Sequence, residues 1–306
     1  GVFGFLASNE LTGNYGIMDQ EYAMAWVQKN IASFGGDPRR VTIDGQSAGG
    51  ISIATHLSLP SSPRNQYFRA AIIQSDPVLI QFRTTAEQQP QYDAIATALG
   101  CGFAASKLDC MKQLPWQTLL NAQSWGAAPL VLHNSWKDVI HKLIWSPTID
   151  GTYITQTPST AFQSGNFYKV PVLIGTVSNE TAGFLPLALG DGPGTPFLAA
   201  AFYQYGFDTL FGSSLAAKVR ALYSSTRTDS EDAISRALTD FAFICPVLQS
   251  ANWLSQYVNT YVYQFSHSPS CDPNNFRSSI CNNRVCHSAE VDFVFHSISL
   301  DRRGSC

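Results

Sequence analysis

Residues 44–50, DGQSAGG, place one serine between two glycines directly after a short β-prone run. A side chain held at the top of a sheet needs a strained strand-to-helix turn, and that turn brings neighbouring segments of chain close together. Gly45 and Gly49, two residues either side of Ser47, leave the room that a side chain would fill. The same pattern also fits an ordinary turn of small residues, so the rest of the chain has to decide whether Ser47 is a nucleophile.

Short apolar runs bounded by turn residues predict buried strands at 41–44, 69–75, 170–175 and 260–265. Apolar residues at helical spacing predict helices, the clearest of which are 18–34, 213–223 and 231–256. Strands that alternate with helices favour an α/β fold, with a mostly parallel central sheet covered by helices on both faces. Because no repeat or linker divides the sequence, we expect a single domain over residues 1–306.

Composition and charge exclude two classes of partner. Lys plus Arg number 19 against 22 Asp plus Glu, which gives a net charge of −3 without any basic stripe. We therefore expect no binding to nucleic acid. No apolar stretch of about 18 residues is free of charge, so we also expect no membrane span.

The seven cysteines bracket short polar loops, notably Cys101 to Cys110 and the set Cys271, Cys281 and Cys286. This distribution favours disulfides in an oxidising compartment, and with it a secreted or extracellular protein. Zinc is the alternative, but the spacings are not C-x-x-C and no paired histidines complete a ligand set, so we expect no metal. The odd count leaves at least one cysteine unpaired within the chain.

A serine hydroxyl needs a histidine to take its proton and a carboxylate to orient that histidine. Glu180 lies in a polar loop after the predicted strand 170–175, and His287 lies in the loop that follows 260–265. Ser47, Glu180 and His287 thus follow one another in the order Ser, acid, His, each after a predicted strand. Glu290 is an alternative acid, although it follows the histidine in the chain.

Three segments carry a family resemblance: GNYGIMDQEYAMAWVQKNIASFGGDPRRVTIDGQSAGG, KVPVLIGTVSNETAGFL and VCHSAEVDFVF. Together they resemble the type-B carboxylesterase and cholinesterase family of α/β-hydrolases over nearly all of residues 1–300. The resemblance implies an α/β-hydrolase fold and a serine carboxylic ester hydrolase that takes small-molecule esters without metal or cofactor. It also implies the roles of nucleophile for Ser47, acid–base for His287 and orienting acid for Glu180.

The same resemblance assigns four further features. The N–H of Ala48 would donate to the oxyanion, Ser75 would support the triad by hydrogen bonding, and Cys101 would pair with Cys110. Gln46, a neighbour of the substrate, stands where the family usually has glutamate, which weakens any preference for cationic substrates.

Two questions stay open at the level of sequence. The Gly-rich loop and the C-terminal part that the resemblance implies are not among these residues, so the chain is expected to be an internal fragment, incomplete at both ends. A non-catalytic adhesion or interaction domain is the alternative function, because some cholinesterase-like domains have lost their nucleophile. Oligomeric state, and the acyl and alcohol groups of the substrate, are not predicted.

Overall fold

The computed structural model describes residues 1–59, 67–77, 81–123, 145–184, 195–225, 230–267, 281 and 284–296. Its Cα positions divide the chain into two compact units. The first comprises 1–43, 54–70 and 79–170, and the second comprises 44–53, 71–78 and 171–306. The expectation of a single domain stays a prediction.

Among the described residues the α-helices, numbered α1 to α13, are Val2–Phe5, Tyr15–Asn30, Ala48–Ser58, Thr85–Ala98, Lys107–Lys112, Trp116–Ala122, Pro158–Ser164, Thr195–Ala201, Phe207–Phe211, Ser213–Leu222, Ser230–Thr239, Cys245–Ser255 and Val291–Val294. The strands, β1 to β6, are Thr42–Gln46, Ala70–Gln74, Arg83–Thr84, Thr148–Ile149, Val172–Val177 and Thr260–Phe265. Short 3₁₀ turns are Ile31–Phe34, Pro38–Arg40 and Glu180–Gly183, and π turns are Phe202–Gly206 and Asp240–Ile244.

The four predicted strands are present, and that at 260–265 has the predicted bounds. The predicted helix 18–34 begins earlier, at Tyr15, and finishes as a 3₁₀ turn. The predicted helix 231–256 is a different structure, because the π turn Asp240–Ile244 separates α11 from α12. Apolar spacing did not reveal that turn, since a π turn adds a single residue to the local repeat.

The main sheet has the strand order β1-β2-β5-β6. Strand β5 pairs in parallel with both neighbours, so that Ile174 lies opposite Ile73 on β2 and Val262 on β6. Ile73 and Ile174 are fully buried, whereas half of the Val262 side chain is exposed on the outer strand. In parallel strands the carboxyl ends meet at one edge of the sheet, so the segments after β2, β5 and β6 emerge close together.

The first unit has its own core, in which Tyr92, Ile95 and Ala96 of α4 pack against Val2 and Leu6. The disulfide between Cys101 and Cys110, which the resemblance implied, is present and closes the loop between α4 and α5. A second small sheet pairs β3 with β4 in parallel. No helix in the described ranges is both long enough and apolar enough to cross a lipid bilayer.

The helical part of the second unit packs around Phe207, which is fully buried with Ala199, Ala216 and Ile234. The helices that supply these residues are α8 to α11. A second disulfide joins Cys281 to Cys286, while Cys245 is an exposed free thiol. Cys271, which belonged to the predicted disulfide set, lies outside the described residues.

Candidate active site

The turn between β1 and α3 consists of Ser47 alone. Its φ is 58°, in the left-handed region that non-glycine residues rarely adopt, and its N–H donates to the carbonyl of Gln74 on β2 at 2.8 Å. A side chain at Gly45 would overlap the carbonyl of Gly49, so Gly45 is required as predicted. The expectation for Gly49 was wrong, because a Cβ there would meet nothing within 4 Å. What matters at Gly49 is the close approach of its backbone.

Ala48 is the first residue of α3. A helix leaves its first N–H groups without partners inside the helix, so this N–H is available to a ligand beside Ser47. The carbonyl of Ser47 accepts from the N–H of Ile51, which ties the turn to the helix that follows. The predicted oxyanion donor therefore adjoins the predicted nucleophile at a helix start.

The second part of the site is the 3₁₀ turn that follows β5. Glu180 begins this turn, and its side chain is completely buried. One carboxylate oxygen, Oε1, accepts the N–H of Val177 at 2.9 Å, and the other, Oε2, lies 2.6 Å from Nδ1 of His287. Thr181, next in the chain, donates its hydroxyl to the carbonyl of Ser235 on α11 at 2.8 Å, which anchors the turn. Burial and these bonds hold the carboxylate in one orientation.

His287 is held on the loop after β6 by its backbone and its ring. Its N–H donates to the carbonyl of Glu180 at 3.3 Å. Two residues earlier in the chain, the carbonyl of Val285 accepts the N–H of Asn179 at 3.0 Å. The ring lies against Phe184 and Phe243, whose ring centroids are 5.1 and 5.2 Å from its own. Sequence reasoning missed both phenylalanines. Phe184 could have been found from its place four residues after Glu180, whereas Phe243 lies within the unpredicted π turn.

The other ring nitrogen of His287 does not contact the serine. Nε2 lies 3.1 Å from the amide nitrogen of Gln46, the last residue of β1. Within the described residues, Oγ of Ser47 has no hydrogen bond to His287. The structure thus brings His287 together with Glu180 and Gln46, and it leaves Ser47 on the adjoining turn. In enzymes without bound substrate, catalytic hydrogen bonds are often long or unformed.

Two further residues from the sequence analysis are buried near the site. Ser75 follows β2 with a φ of 51°, and its N–H donates to the carbonyl of Gly175 at 2.8 Å. Its Oγ has no hydrogen-bond partner among the described residues, so its supporting role stays a prediction. Glu290, the alternative acid, is also buried, but the carboxylate in contact with His287 is that of Glu180.

Asp76, which directly follows Ser75, is a buried carboxyl. It is fully buried, and its oxygens have no hydrogen-bond partner among the described residues. Burial raises the pKa of Asp76 well above its usual value, because the charged form would lose its hydration. Gly50 of α3 allows this residue to approach, since a Cβ at Gly50 would lie 3.0 Å from the Cβ of Asp76.

Two surface cavities of the described residues lie outside the predicted site. They belong to the first unit, have volumes of about 390 and 520 Å³, share Met18 and Tyr153 in their walls and contain none of the predicted site residues. Across the described ranges, His, Cys, Asp and Glu side chains form no group of three or more that could hold a metal ion.

The chain is similar to several known proteins. A model of the carboxylesterase family matches residues 1–304. The cAMP-regulated D2 protein of Dictyostelium discoideum is 33% identical over 98% of the chain and 54% of its own length. Acetylcholinesterase of Bungarus fasciatus is 31% identical over 88% of the chain and 46% of its own length. Para-nitrobenzyl esterase of Bacillus subtilis (strain 168) is 30% identical over 97% of the chain and 56% of its own length.

The mostly parallel sheet and the serine turn after its first strand are features of the α/β-hydrolase fold. The chain belongs to the carboxylesterase family. It spans about half the length of the curated relatives that it matches.

Proposed function

We propose that the protein is a serine carboxylic ester hydrolase that acts through an acyl-enzyme intermediate. The observation that carries this proposal is the 2.6 Å contact between Glu180 and His287, next to a serine on a strained strand-to-helix turn. Two relatives whose names state an esterase activity support the same reaction class.

In the proposed mechanism Glu180 keeps the proton of His287 on Nδ1, which leaves the lone pair of Nε2 to act as base. As Oγ of Ser47 attacks the ester carbonyl, its proton passes to Nε2. The carbonyl oxygen becomes an oxyanion that accepts the N–H of Ala48, and one such donor is typically worth about 10²–10³ in kcat. His287 then returns the proton to the leaving alcohol.

Deacylation repeats these steps with water in place of Ser47. His287 removes a proton from the water, the resulting hydroxide attacks the acyl carbonyl, and the proton returns to Oγ. The imidazole of His287 carries every proton transfer, so the proposed mechanism uses no metal or cofactor. The proposed substrates are small, uncharged carboxylic esters, because Gln46 puts no negative charge beside the acyl centre.

The disulfides Cys101–Cys110 and Cys281–Cys286 support a proposed location outside the cytosol, since such bonds persist in oxidising compartments. A secreted or extracellular enzyme is consistent with both.

The alternative function is a non-catalytic interaction domain. It is supported by the similarity to the cAMP-regulated D2 protein, whose name states no hydrolytic activity.

The experiment that separates the two functions is active-site labelling of the full-length protein with a fluorophosphonate probe. We expect one covalent adduct, located at Ser47 by peptide mapping and mass spectrometry, and we expect the variant Ser47→Ala to remain unlabelled. Ser52→Ala is the matched control, because Ser52 lies on the same helix, α3, and its hydroxyl donates to the carbonyl of Ala48 at 3.0 Å. A folded protein that is labelled elsewhere, or not at all, would favour the interaction domain.

A further inference from the structure

Gln46 contacts the ring nitrogen of His287 that the proposed mechanism uses as base. The distance from the amide Nε2 of Gln46 to Nε2 of His287 is 3.1 Å, within the range of a hydrogen bond. The two side chains come from separate elements, the end of β1 and the loop after β6. They lie 241 residues apart in the chain, so the contact is a product of the tertiary fold.

The chemistry of the imidazole decides which group donates. Nδ1 of His287 faces a buried carboxylate at 2.6 Å, and a carboxylate accepts, so Nδ1 carries the hydrogen. In the neutral ring Nε2 is then an acceptor, and its partner must supply an N–H or O–H. The amide nitrogen of Gln46 supplies an N–H, whereas an ionised glutamate at the same position has none.

We propose that Gln46 is a positioning residue for His287: its amide N–H orients the imidazole and favours the tautomer whose Nε2 receives the proton of Ser47. The catalytic consequence of this inference rests on the proposed function. The contact between Gln46 and His287 does not depend on that function. Two aromatic rings, those of Phe184 and Phe243, also lie against the imidazole. Among the described residues, Glu180 and Gln46 are the polar groups that contact the ring nitrogens.

The geometry also requires an exchange of partners during turnover. Nε2 has one lone pair in the plane of the ring, and in the resting site that lone pair faces Gln46 and not Ser47. Substrate binding must therefore bring Oγ of Ser47 to Nε2 in place of the amide. Gln46 stabilises the reactive tautomer before this exchange and releases the lone pair when the serine approaches.

Two variants of the full-length protein test the inference, both close to glutamine in length. Gln46→Glu replaces the donor with an anion, which favours the imidazolium over the neutral ring. Gln46→Met removes the donor without adding charge. We expect the acidic limb of the kcat/KM profile to move to higher pH by about one unit in Gln46→Glu, because an opposite charge within about 4–6 Å shifts a titration by 1–3 units. On that limb this is about a tenfold loss of kcat/KM at fixed pH. The shift in Gln46→Met should be smaller and in the same direction.

A second readout does not depend on turnover. With ¹⁵N-labelled histidine, the titration midpoint and the Nε2 shift of His287 can be followed by NMR, using His287→Asn to assign the signals. We expect the midpoint to rise in the order wild type, Gln46→Met, Gln46→Glu, and the Nε2 signal of neutral His287 to lose the signature of a hydrogen-bonded acceptor in Gln46→Met.

The outcomes separate the two proposals. An unchanged midpoint in Gln46→Glu, or a wild-type Nε2 signal in Gln46→Met, overturns the role of Gln46 even if the wild type hydrolyses esters. If the midpoints move in the expected order but the wild type hydrolyses no ester, the role of Gln46 stands and the proposed esterase function fails. If Gln46→Glu does not fold, the Nε2 signal of Gln46→Met decides the question alone.

Discussion

Three serines of the second unit, Ser47, Ser75 and Ser288, have positive φ angles of 58°, 51° and 70°. Ser47 and Ser75 are themselves predicted functional residues, and Ser288 directly follows His287. Backbone in this region costs of the order of 1–3 kcal/mol per non-glycine residue and persists only where surrounding contacts impose it. For Ser47 and Ser75 those contacts are the N–H bonds to the carbonyls of Gln74 and Gly175. The strain is concentrated where three segments of chain are drawn together.

The buried carboxyl of Asp76 makes the free energy of unfolding depend on pH. Burial raises the pKa of this carboxyl well above its usual value, so the folded chain keeps a proton that the unfolded chain loses near pH 4. Unfolding then releases a proton, and the free energy of unfolding falls as pH rises, by up to about 1.4 kcal/mol per pH unit. The fall ends when Asp76 ionises in the folded protein.

We expect Asp76→Asn, which cannot ionise, to remove this slope and to be the more stable protein at high pH. Urea denaturation of both proteins between pH 4 and pH 8 measures the difference. Asp37→Asn is the control, because Asp37 is partly exposed and its hydrogen bond to Arg39 lowers its pKa. This carboxyl stays ionised above pH 4 in both states, so the variant should keep the slope of the wild type. A difference between wild type and Asp76→Asn that does not grow with pH would contradict the assignment.

At the scale of elements, the turn between β1 and α3 depends on the close approach of Gly45 to the backbone of Gly49. We expect Gly45→Ala to destabilise the protein by roughly 1–3 kcal/mol, because the added methyl group meets a backbone carbonyl that cannot move without displacing α3. Gly49→Ala is the matched control. Its methyl group meets open space and favours the helix, so we expect a change between zero and about 1 kcal/mol of stabilisation.

Thermal unfolding by circular dichroism compares the two variants, and fluorophosphonate labelling reports whether Ser47 stays accessible. Equal losses of stability in both variants would mean that the turn has no special need for a glycine at position 45. Loss of labelling in Gly49→Ala with full stability would show that position 49 acts on the site and not on the fold.

At the scale of the whole molecule, neither the overall charge nor the site supplies a strong attraction for cations. The net charge is only −3 over 306 residues. Glu180 is buried and paired with His287, and Gln46 is uncharged. Substrate choice should therefore follow shape and hydrophobicity more than charge.

We expect kcat/KM for a choline ester to be no higher than that for the 3,3-dimethylbutyl ester of the same acid, which has the same shape without the charge. In Gln46→Glu the ratio of choline to dimethylbutyl ester should rise by about fivefold, since two unit charges about 4 Å apart attract by about 1 kcal/mol in a water-like medium. The ratio cancels any effect of the variant on His287 that both substrates share. A strong choline preference in the wild type would mean that other residues bind the cation.

The sequence by itself determined where four strands of the main sheet lie, and it predicted the residues of the candidate site. Strand patterns around 41–44, 170–175 and 260–265 depend on local apolar runs and turn residues, which is why those strands appear within two residues of their predicted bounds. Ser47, Glu180 and His287 were predicted from their places after strands, because a parallel sheet brings the segments after its strands to one edge. Of these three, the structure brings Glu180 and His287 into contact. Apolar residues spaced three and four apart were enough to predict helices, but this spacing did not show the π turn that contains Phe243.

Only the tertiary structure decided what touches His287. The ring meets Gln46 from β1, Glu180 from the turn after β5 and two phenylalanines from elsewhere in the second unit. Each contact joins residues that are far apart in the chain, or depends on a side-chain orientation set by packing, and neither leaves a periodic signal in the sequence. The burial of the Asp76 carboxyl is likewise visible only in the structure, because burial depends on the surrounding residues and not on the residue itself.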